Sequence, residues 1–156
     1  MSHHILCVFG ANLGLLGQRE PDVYGSVTLD QIREAVENHA SRSGNRVSWV
    51  VSNHEGELVD AIGSALGKVD GILINPGAFT HTSVALRDAI LAVGVPTVEV
   101  HLSNIHAREE FRRHSYLADI ATGQVVGLGA AGVVLALQGL IYRLDGTELP
   151  GAAEEA

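Results

Sequence analysis

The chain has 156 residues, of which 46% are hydrophobic and 18% charged, so it is expected to form one folded domain over residues 1–156 and not a disordered chain. Its formal net charge of −8 argues against non-specific binding to nucleic acid or to an anionic membrane surface. Cys7 is the only cysteine, which excludes an intrachain disulfide. No apolar run is long enough for a membrane span, and residues 1–10 lack a signal-peptide pattern. We therefore expect a cytoplasmic protein.

Short aliphatic runs alternate with helical periods along the chain. The run HILCVF at residues 4–9 predicts a buried strand, and the stretch at 10–27, rich in Gly, Asn and Pro, predicts a long functional loop. Apolar residues at helical spacing predict a helix over 29–43, with Thr28 and Gln31 forming a capping box at its start.

The same alternation continues to the end of the chain. Further strands are predicted at 47–51, 71–75, 97–101 and 124–126. Further helices are predicted at 55–66, 83–93 and 129–144. In the helix over 55–66, we expect Leu58, Ile62 and Leu66 to face inward. Strand–helix alternation with aliphatic strands predicts a doubly wound parallel sheet, and the acidic, Ala-rich end at about 146–156 is expected to fray.

Polar residues follow the predicted strands, where a doubly wound sheet binds its ligands. They are Asn12, Asn53, residues 75–77, Glu99, His101 and Ser103. Such a site needs no metal, and the eight histidines show no metal-ligand spacing. The G-x-G-x-x-G at 127–132 lacks the following strand of a dinucleotide site, so we expect it to allow close helix packing.

Two side-chain pairs carry chemistry but leave alternatives open. Glu99 and His101 are two residues apart on one strand and share a face, which suits either a general acid with its orienting carboxylate or a strand-end ion pair. Arg19 and Tyr24 share the long loop, where the tyrosine is either a base beside a guanidinium or a loop anchor. The residues alone favour the anchor.

Four long segments in sequence order resemble the type II 3-dehydroquinate dehydratases, and the likeness extends over nearly the whole chain. The segments are FGANLGLLGQREPDVYG (9–25), SNHEGELVD (52–60), INPGAFTHTSVALRDA (74–89) and VEVHLSNIHAREEFRRHSYLA (98–118). The resemblance implies a flavodoxin-like fold, a dodecamer of four trimers, and no cofactor or metal. It also implies reversible loss of water from 3-dehydroquinate to give 3-dehydroshikimate, in the shikimate pathway or in quinate catabolism.

The resemblance also implies a role for each matching residue. Tyr24 matches the general base, Arg19 the lid arginine that activates it, and Asn12 the residue that holds a water against the enolate oxygen. His101 matches the general acid, which Glu99 orients. The matching substrate contacts and supporting residues are Asn75 with the backbone at Leu102 and Ser103 for the carboxylate, His81 and Arg112 for the ring hydroxyls, Arg108 near the lid, and Asp88 reaching a neighbouring subunit's site.

Four positions depart from the family pattern without removing a catalytic side chain. Phe9 and Ala11 replace the asparagine and proline that usually precede Asn12, so water placement by Asn12 is expected to be looser. Phe79 stands where tyrosine is common, and Asp119 where proline is common. The rival functions are a flavodoxin-like binding module without catalysis and a related lyase acting on a modified substrate.

Overall fold

The computed structural model describes residues 1–147 and contains a five-stranded sheet in which every neighbouring pair of strands is parallel. The strands are β1 (His4–Phe9), β2 (Arg46–Val51), β3 (Gly71–Asn75), β4 (Thr97–His101) and β5 (Gly123–Val126), in the spatial order β2-β1-β3-β4-β5. This is the predicted doubly wound α/β sheet in the flavodoxin-like order. The predicted frayed end lies largely outside the described residues.

Within residues 1–147, five α-helices accompany the sheet. They are α1 (Pro21–Tyr24), α2 (Leu29–Arg42), α3 (Glu55–Ser64), α4 (Val84–Val93) and α5 (Ala131–Asp145). Thr28 begins α2 with the predicted capping box, since its hydroxyl accepts from Gln31 and the Gln31 side chain accepts from the Thr28 backbone. Ser83 is the cap of α4, accepting from the backbone of Leu86 at 2.9 Å.

The core consists of two apolar layers, one on each face of the sheet. Alternation along β1 sends Ile5, Cys7 and Phe9 into the layer covered by α2 and α5, and sends Leu6 and Val8 into the layer under α3 and α4. Cys7 is buried in this core, and burial raises the pKa of its thiol, which is typical of an unreactive core cysteine.

The prediction that Leu66 faces inward is wrong. Helix α3 ends at Ser64, earlier than the apolar spacing suggests, and Leu66 is 61% exposed. Ala65 takes the buried position after the helix, while Leu58 and Ile62 are fully buried as predicted.

The glycines at 127–132 serve packing at the carboxyl end of the sheet. A Cβ on Gly127, which has a φ of +86°, would lie 3.1 Å from the Asn104 side chain. A Cβ on Gly132 would lie 3.2 Å from Leu128. The Gly132 contact agrees with the expectation of close packing of α5, whereas Gly127 packs against the segment after β4.

Candidate active site

A cavity of about 250 Å³ opens at the carboxyl ends of β1, β3 and β4, the position predicted from the sheet architecture. Ten of the twelve residues that the family resemblance assigns to the site line it. They are Asn12, Arg19, Tyr24, Asn75, His81, His101, Leu102, Ser103, Arg108 and Arg112. The two exceptions are Glu99, which lies fully buried within β4, and Asp88, which lies outside the lining on α4.

The strand ends approach one another closely because two glycines replace side chains there. A Cβ on Gly10 would lie 2.2 Å from the carbonyl oxygen of Pro76, and a Cβ on Gly77 would lie 2.7 Å from that of Ala11. Asn12 adopts a left-handed backbone with a φ of +66°, and its N–H donates to the side chain of Asn53 at 2.8 Å. Asn53, predicted among the polar strand-end residues, thus supports Asn12 from outside the cavity lining.

Tyr24 lies at the end of α1 with its hydroxyl beside a guanidinium. Arg108 Nη1 donates to the phenol oxygen at 2.8 Å, and its side chain is 16% exposed. The Arg19 guanidinium carbon lies 5.6 Å from the centroid of the Tyr24 ring, while its Nε pairs with Glu20 at 3.2 Å. Of the two arginines, Arg108 is therefore the one that contacts the hydroxyl, whereas the family resemblance assigns activation of Tyr24 to Arg19.

His101 ends β4 and forms a buried pair with Glu99. Its Nε2–H donates to Glu99 Oε1 at 2.6 Å, which leaves Nδ1 as the ring nitrogen available to a bound molecule. Burial alone would raise the pKa of Glu99, but hydrogen bonds from His101, Thr80 and Ser115 reverse that effect and hold the pKa below its usual value. The arrangement is an anionic carboxylate that orients an imidazole.

Three further side chains surround Glu99 that the sequence analysis did not identify. Ser115 Oγ lies 2.8 and 2.9 Å from the two carboxylate oxygens, Thr80 donates to Oε1, and Gln124 Nε2 donates to Oε2 at 2.6 Å. They come from three separate segments, so only the positions of the strands relative to each other could have revealed them.

His81 presents a defined hydrogen-bonding edge to the cavity. Its Nδ1 lies 2.7 Å from the carbonyl oxygen of His114, which can only accept, so Nδ1 carries the proton. Burial lowers the pKa of His81, which favours the neutral ring with Nε2 as an acceptor. Its ring stacks on His101 with centroids 6.4 Å apart. Arg112, also in the lining, has its Nε bound to Glu109 at 2.9 Å.

The polar end of the cavity near β3 is built from Asn75, which is 3% exposed. Its side-chain oxygen accepts from the Gly77 N–H at 3.2 Å, so the amide NH₂ is the group left to donate to a ligand. Leu102 and Ser103 follow β4 on the neighbouring strand. Amide donors and arginines in one cleft suit a small anionic, hydroxylated ligand.

Neither a metal cluster nor a membrane helix is found in the part of the chain that the structure describes. No three His, Cys, Asp or Glu side chains among residues 1–147 could hold a metal ion together. No helix in that range combines the length and apolar character needed to cross a bilayer.

Comparison with known proteins identifies the family. A model of the family Dehydroquinase class II matches residues 3–141. The chain belongs to the class II dehydroquinase family. It is 57% identical over 142 residues to a 3-dehydroquinate dehydratase of Photorhabdus laumondii, covering 91% of this chain and 95% of that one. It is 53% identical over 138 residues to a catabolic 3-dehydroquinase 1 of Neosartorya fischeri, covering 88% and 92%.

Solved structures of the family have the same fold. The type II dehydroquinase from Butyrivibrio crossotus superposes with a TM-score of 0.87 at 39% identity, covering 90% of this chain and 98% of that one. The prediction of a type II dehydroquinase with a flavodoxin-like sheet is confirmed. The predicted dodecamer and the individual residue roles stay predictions.

The four side chains that depart from the dehydroquinase pattern lie in different surroundings. The Phe9 ring is fully buried against Trp49, with centroids 5.1 Å apart. Phe79 packs against the core under α3 and α4, and Asp119 forms an ion pair with Arg87. Ala11 is the one of the four that lines the cavity, beside Asn12.

Proposed function

We propose that this chain is a 3-dehydroquinate dehydratase that removes water from 3-dehydroquinate through an enolate, with Tyr24 as base and His101 as acid. The observation that carries the proposal is that the Tyr24 phenol and the His101 imidazole line one cavity, each held by a charged partner. Membership of the dehydroquinase family supports the substrate and the reaction class.

Proton removal begins the reaction. Arg108 and Arg19 stabilise the phenolate form of Tyr24, since a cation beside an anion favours the charged state. The phenolate takes a proton from the carbon next to the ketone, and the electron pair moves onto the ketone oxygen as an enolate. Asn12 holds a water against that oxygen and thereby stabilises the developing charge.

Loss of hydroxide completes the reaction. The enolate electrons re-form the ketone, a carbon–carbon double bond forms, and the C1 carbon–oxygen bond breaks. His101 donates a proton to the departing hydroxyl, so that it leaves as water, and the anionic Glu99 stabilises and orients the imidazolium. Exchange with solvent then returns a proton to His101 and removes one from Tyr24, which restores the starting state.

Substrate orientation comes from the remaining lining. Asn75 and the backbone at Leu102 and Ser103 bind the carboxylate, while His81 and Arg112 bind ring hydroxyls. Because His81 is a hydrogen-bond acceptor at Nε2, it requires a donor on the substrate, which a hydroxyl provides. Closure of the segment from Arg19 to Tyr24 over the substrate excludes water.

The proposed reaction is compatible with two metabolic pathways. Dehydration of 3-dehydroquinate serves both the shikimate pathway and quinate catabolism, and one relative at 53% identity is named for the catabolic role. We place the protein in one of these two pathways, acting in the cytoplasm without a cofactor.

Turnover of 3-dehydroquinate, followed through the absorbance of the conjugated enone product, tests this function. We expect product without added metal or nucleotide, and the same rate in the presence of a chelator. Binding of 3-dehydroquinate without product would support the binding module instead. No reaction with 3-dehydroquinate, together with turnover of a modified analogue, would support the related lyase.

A further inference from the structure

The Glu99 carboxylate lies beneath the cavity with no exposed surface and accepts hydrogen bonds from four side chains. His101 and Thr80 contact Oε1. The Ser115 hydroxyl lies between the two oxygens, at 2.8 and 2.9 Å. Gln124 Nε2 lies 2.6 Å from Oε2. Apart from the shared Ser115 hydroxyl, each carboxylate oxygen therefore has donors of its own.

Gln124 reaches this carboxylate from the edge strand. In the pairing of β4 with β5, Gln124 stands directly opposite Glu99, so the two side chains project from the same face. The Ser115 hydroxyl has one proton and also lies 3.0 Å from Thr80, so its proton is divided among several acceptors. In residues 1–147, by contrast, the side-chain amide of Gln124 makes a single hydrogen bond, which it donates to Oε2.

We propose that Gln124 is a positioning residue of the dehydration reaction, acting on His101 through Glu99. The inference rests on the proposed function. By fixing Oε2, the amide keeps Oε1 in line with Nε2 of His101, and so holds the imidazole with Nδ1 free for the leaving hydroxyl. An amide donor also favours the ionised carboxylate, which the cationic form of His101 needs as its partner.

The charged and titratable surroundings of Glu99 agree with this role. His101 faces it from the same strand, and His81 stacks on His101 from the segment before α4. Burial keeps the pKa of His81 below its usual value, so His81 adds no positive charge near neutral pH. The other groups that contact Glu99 are the neutral Thr80, Ser115 and Gln124. Glu99 is thus the anionic partner of His101, and neutral donors hold its position.

Gln124→Leu removes the donor and keeps a side chain of similar size. We expect kcat to fall about fivefold, the equivalent of one hydrogen bond of about 1 kcal/mol, with KM unchanged because Gln124 does not line the cavity. The acidic limb of kcat moves to higher pH, because losing a donor raises the pKa of Glu99. The matched control is Gln138→Leu, which removes an amide bound to Tyr142 on α5.

Gln124→Glu tests the same contact through charge. While the introduced carboxyl group and Glu99 together keep one proton, the carboxylic acid donates to Oε2 as the amide did, and activity stays near that of the parent. As the pH rises, the pair loses that proton and the two carboxylates repel each other. We therefore expect kcat of Gln124→Glu to decline at a pH above about 4, the usual carboxyl range. The parent protein should not show this decline.

The outcomes separate this inference from the proposed function. A fivefold loss confined to kcat in Gln124→Leu, together with the new ionisation in Gln124→Glu, supports the positioning role. Kinetics equal to Gln138→Leu, or loss of activity that only follows a lower melting temperature without a changed pH profile, overturns it. An inactive parent protein would overturn the proposed function, and the inference with it.

Discussion

At the scale of single residues, the contacts of Tyr24 with two arginines bear on how this proposed base would be activated. Arg108 donates to the phenol oxygen at 2.8 Å from a largely buried position. The Arg19 side chain is 38% exposed and divides its charge between Glu20 and the tyrosine ring. Solvent screens an exposed charge more than a buried one, so in the proposed reaction we expect Arg108 to stabilise the anion more than Arg19 does.

Replacing each arginine by alanine separates the two contributions. We expect Arg108→Ala to lower kcat by about 10- to 100-fold, the value of one charged hydrogen bond of about 1.5–3 kcal/mol. Arg19→Ala should lower kcat by less, with a smaller effect on KM than on kcat. Arg113→Ala, an exposed arginine outside the cavity lining, is the control. A larger kcat loss in Arg19→Ala than in Arg108→Ala would contradict this ranking.

The sequence predicts some residue contacts in the site and misses others for a physical reason. Glu99 and His101 share a face because strand side chains alternate with a period of two, so their pairing follows from spacing alone. Ser115 and Gln124 reach Glu99 from 16 and 25 positions away along the chain. Such contacts depend on strand order and loop path, which local periodicity does not encode.

At the scale of elements, long periodic segments follow from the sequence pattern and short ones do not. Helix α2 begins at the predicted capping box, and every strand lies within one residue of its predicted bounds. The helix α1 lies inside the segment predicted as a loop, since four residues are too few for a hydrophobic period. Glu20, with a φ of +40°, sets its start through a backbone conformation that composition does not reveal.

The end of α3 gives a stability prediction at this scale. Leu58→Ala should lower the free energy of unfolding by about 2–5 kcal/mol, because it opens a cavity in a fully buried layer. Leu66→Ala, the same substitution beyond the end of the helix, should change it by less than about 0.5 kcal/mol, since the side chain is 61% exposed. Urea unfolding at one protein concentration measures both. A comparable loss in the two variants would contradict the early end of α3.

At the scale of the whole molecule, one face of α4 is where the predicted assembly would need a second copy of the chain. Val84, Asp88 and Leu91 follow one another at helical spacing, and the two apolar side chains are 51% and 54% exposed. Asp88 lies outside the cavity of its own chain. Its predicted role in a neighbouring subunit's site therefore needs a second copy of the chain packed against this face.

Subunit mixing tests whether the site is shared. We expect Tyr24→Phe and Asp88→Ala to be impaired alone, and co-expression to restore activity in the mixed oligomer, because a Tyr24 from one subunit then meets an Asp88 from its neighbour. At equal expression roughly a quarter of the sites combine both. Steady-state turnover of the purified mixture measures the recovery.

The matched control is a mixture of Tyr24→Phe and His101→Ala. These two side chains line the cavity of one chain, so no mixture places both intact residues in one site. This mixture should stay inactive. Recovery in the control, or none with Asp88→Ala, would contradict a site shared in the predicted way.

Strand order is the feature of the whole molecule that the sequence pattern alone leaves open. Alternating strands and helices predict a parallel sheet but not the order of its strands. The observed order, β2-β1-β3-β4-β5, is the flavodoxin-like order that the family resemblance implies. The cavity follows from that order, because it brings the ends of β1, β3 and β4 together. Local periodicity thus predicted the elements and the polar strand ends, and the family resemblance implied the strand order that brings those ends together.

Exchange of the substrate proton next to the ketone with deuterated water tests the central claim most directly. If Tyr24 removes that proton and His101 acts only on the leaving hydroxyl, His101→Ala will incorporate deuterium into 3-dehydroquinate while making almost no product. Tyr24→Phe will then do neither, with both variants folded by circular dichroism. Deuterium incorporation by Tyr24→Phe at the rate of His101→Ala would contradict the assignment of the base.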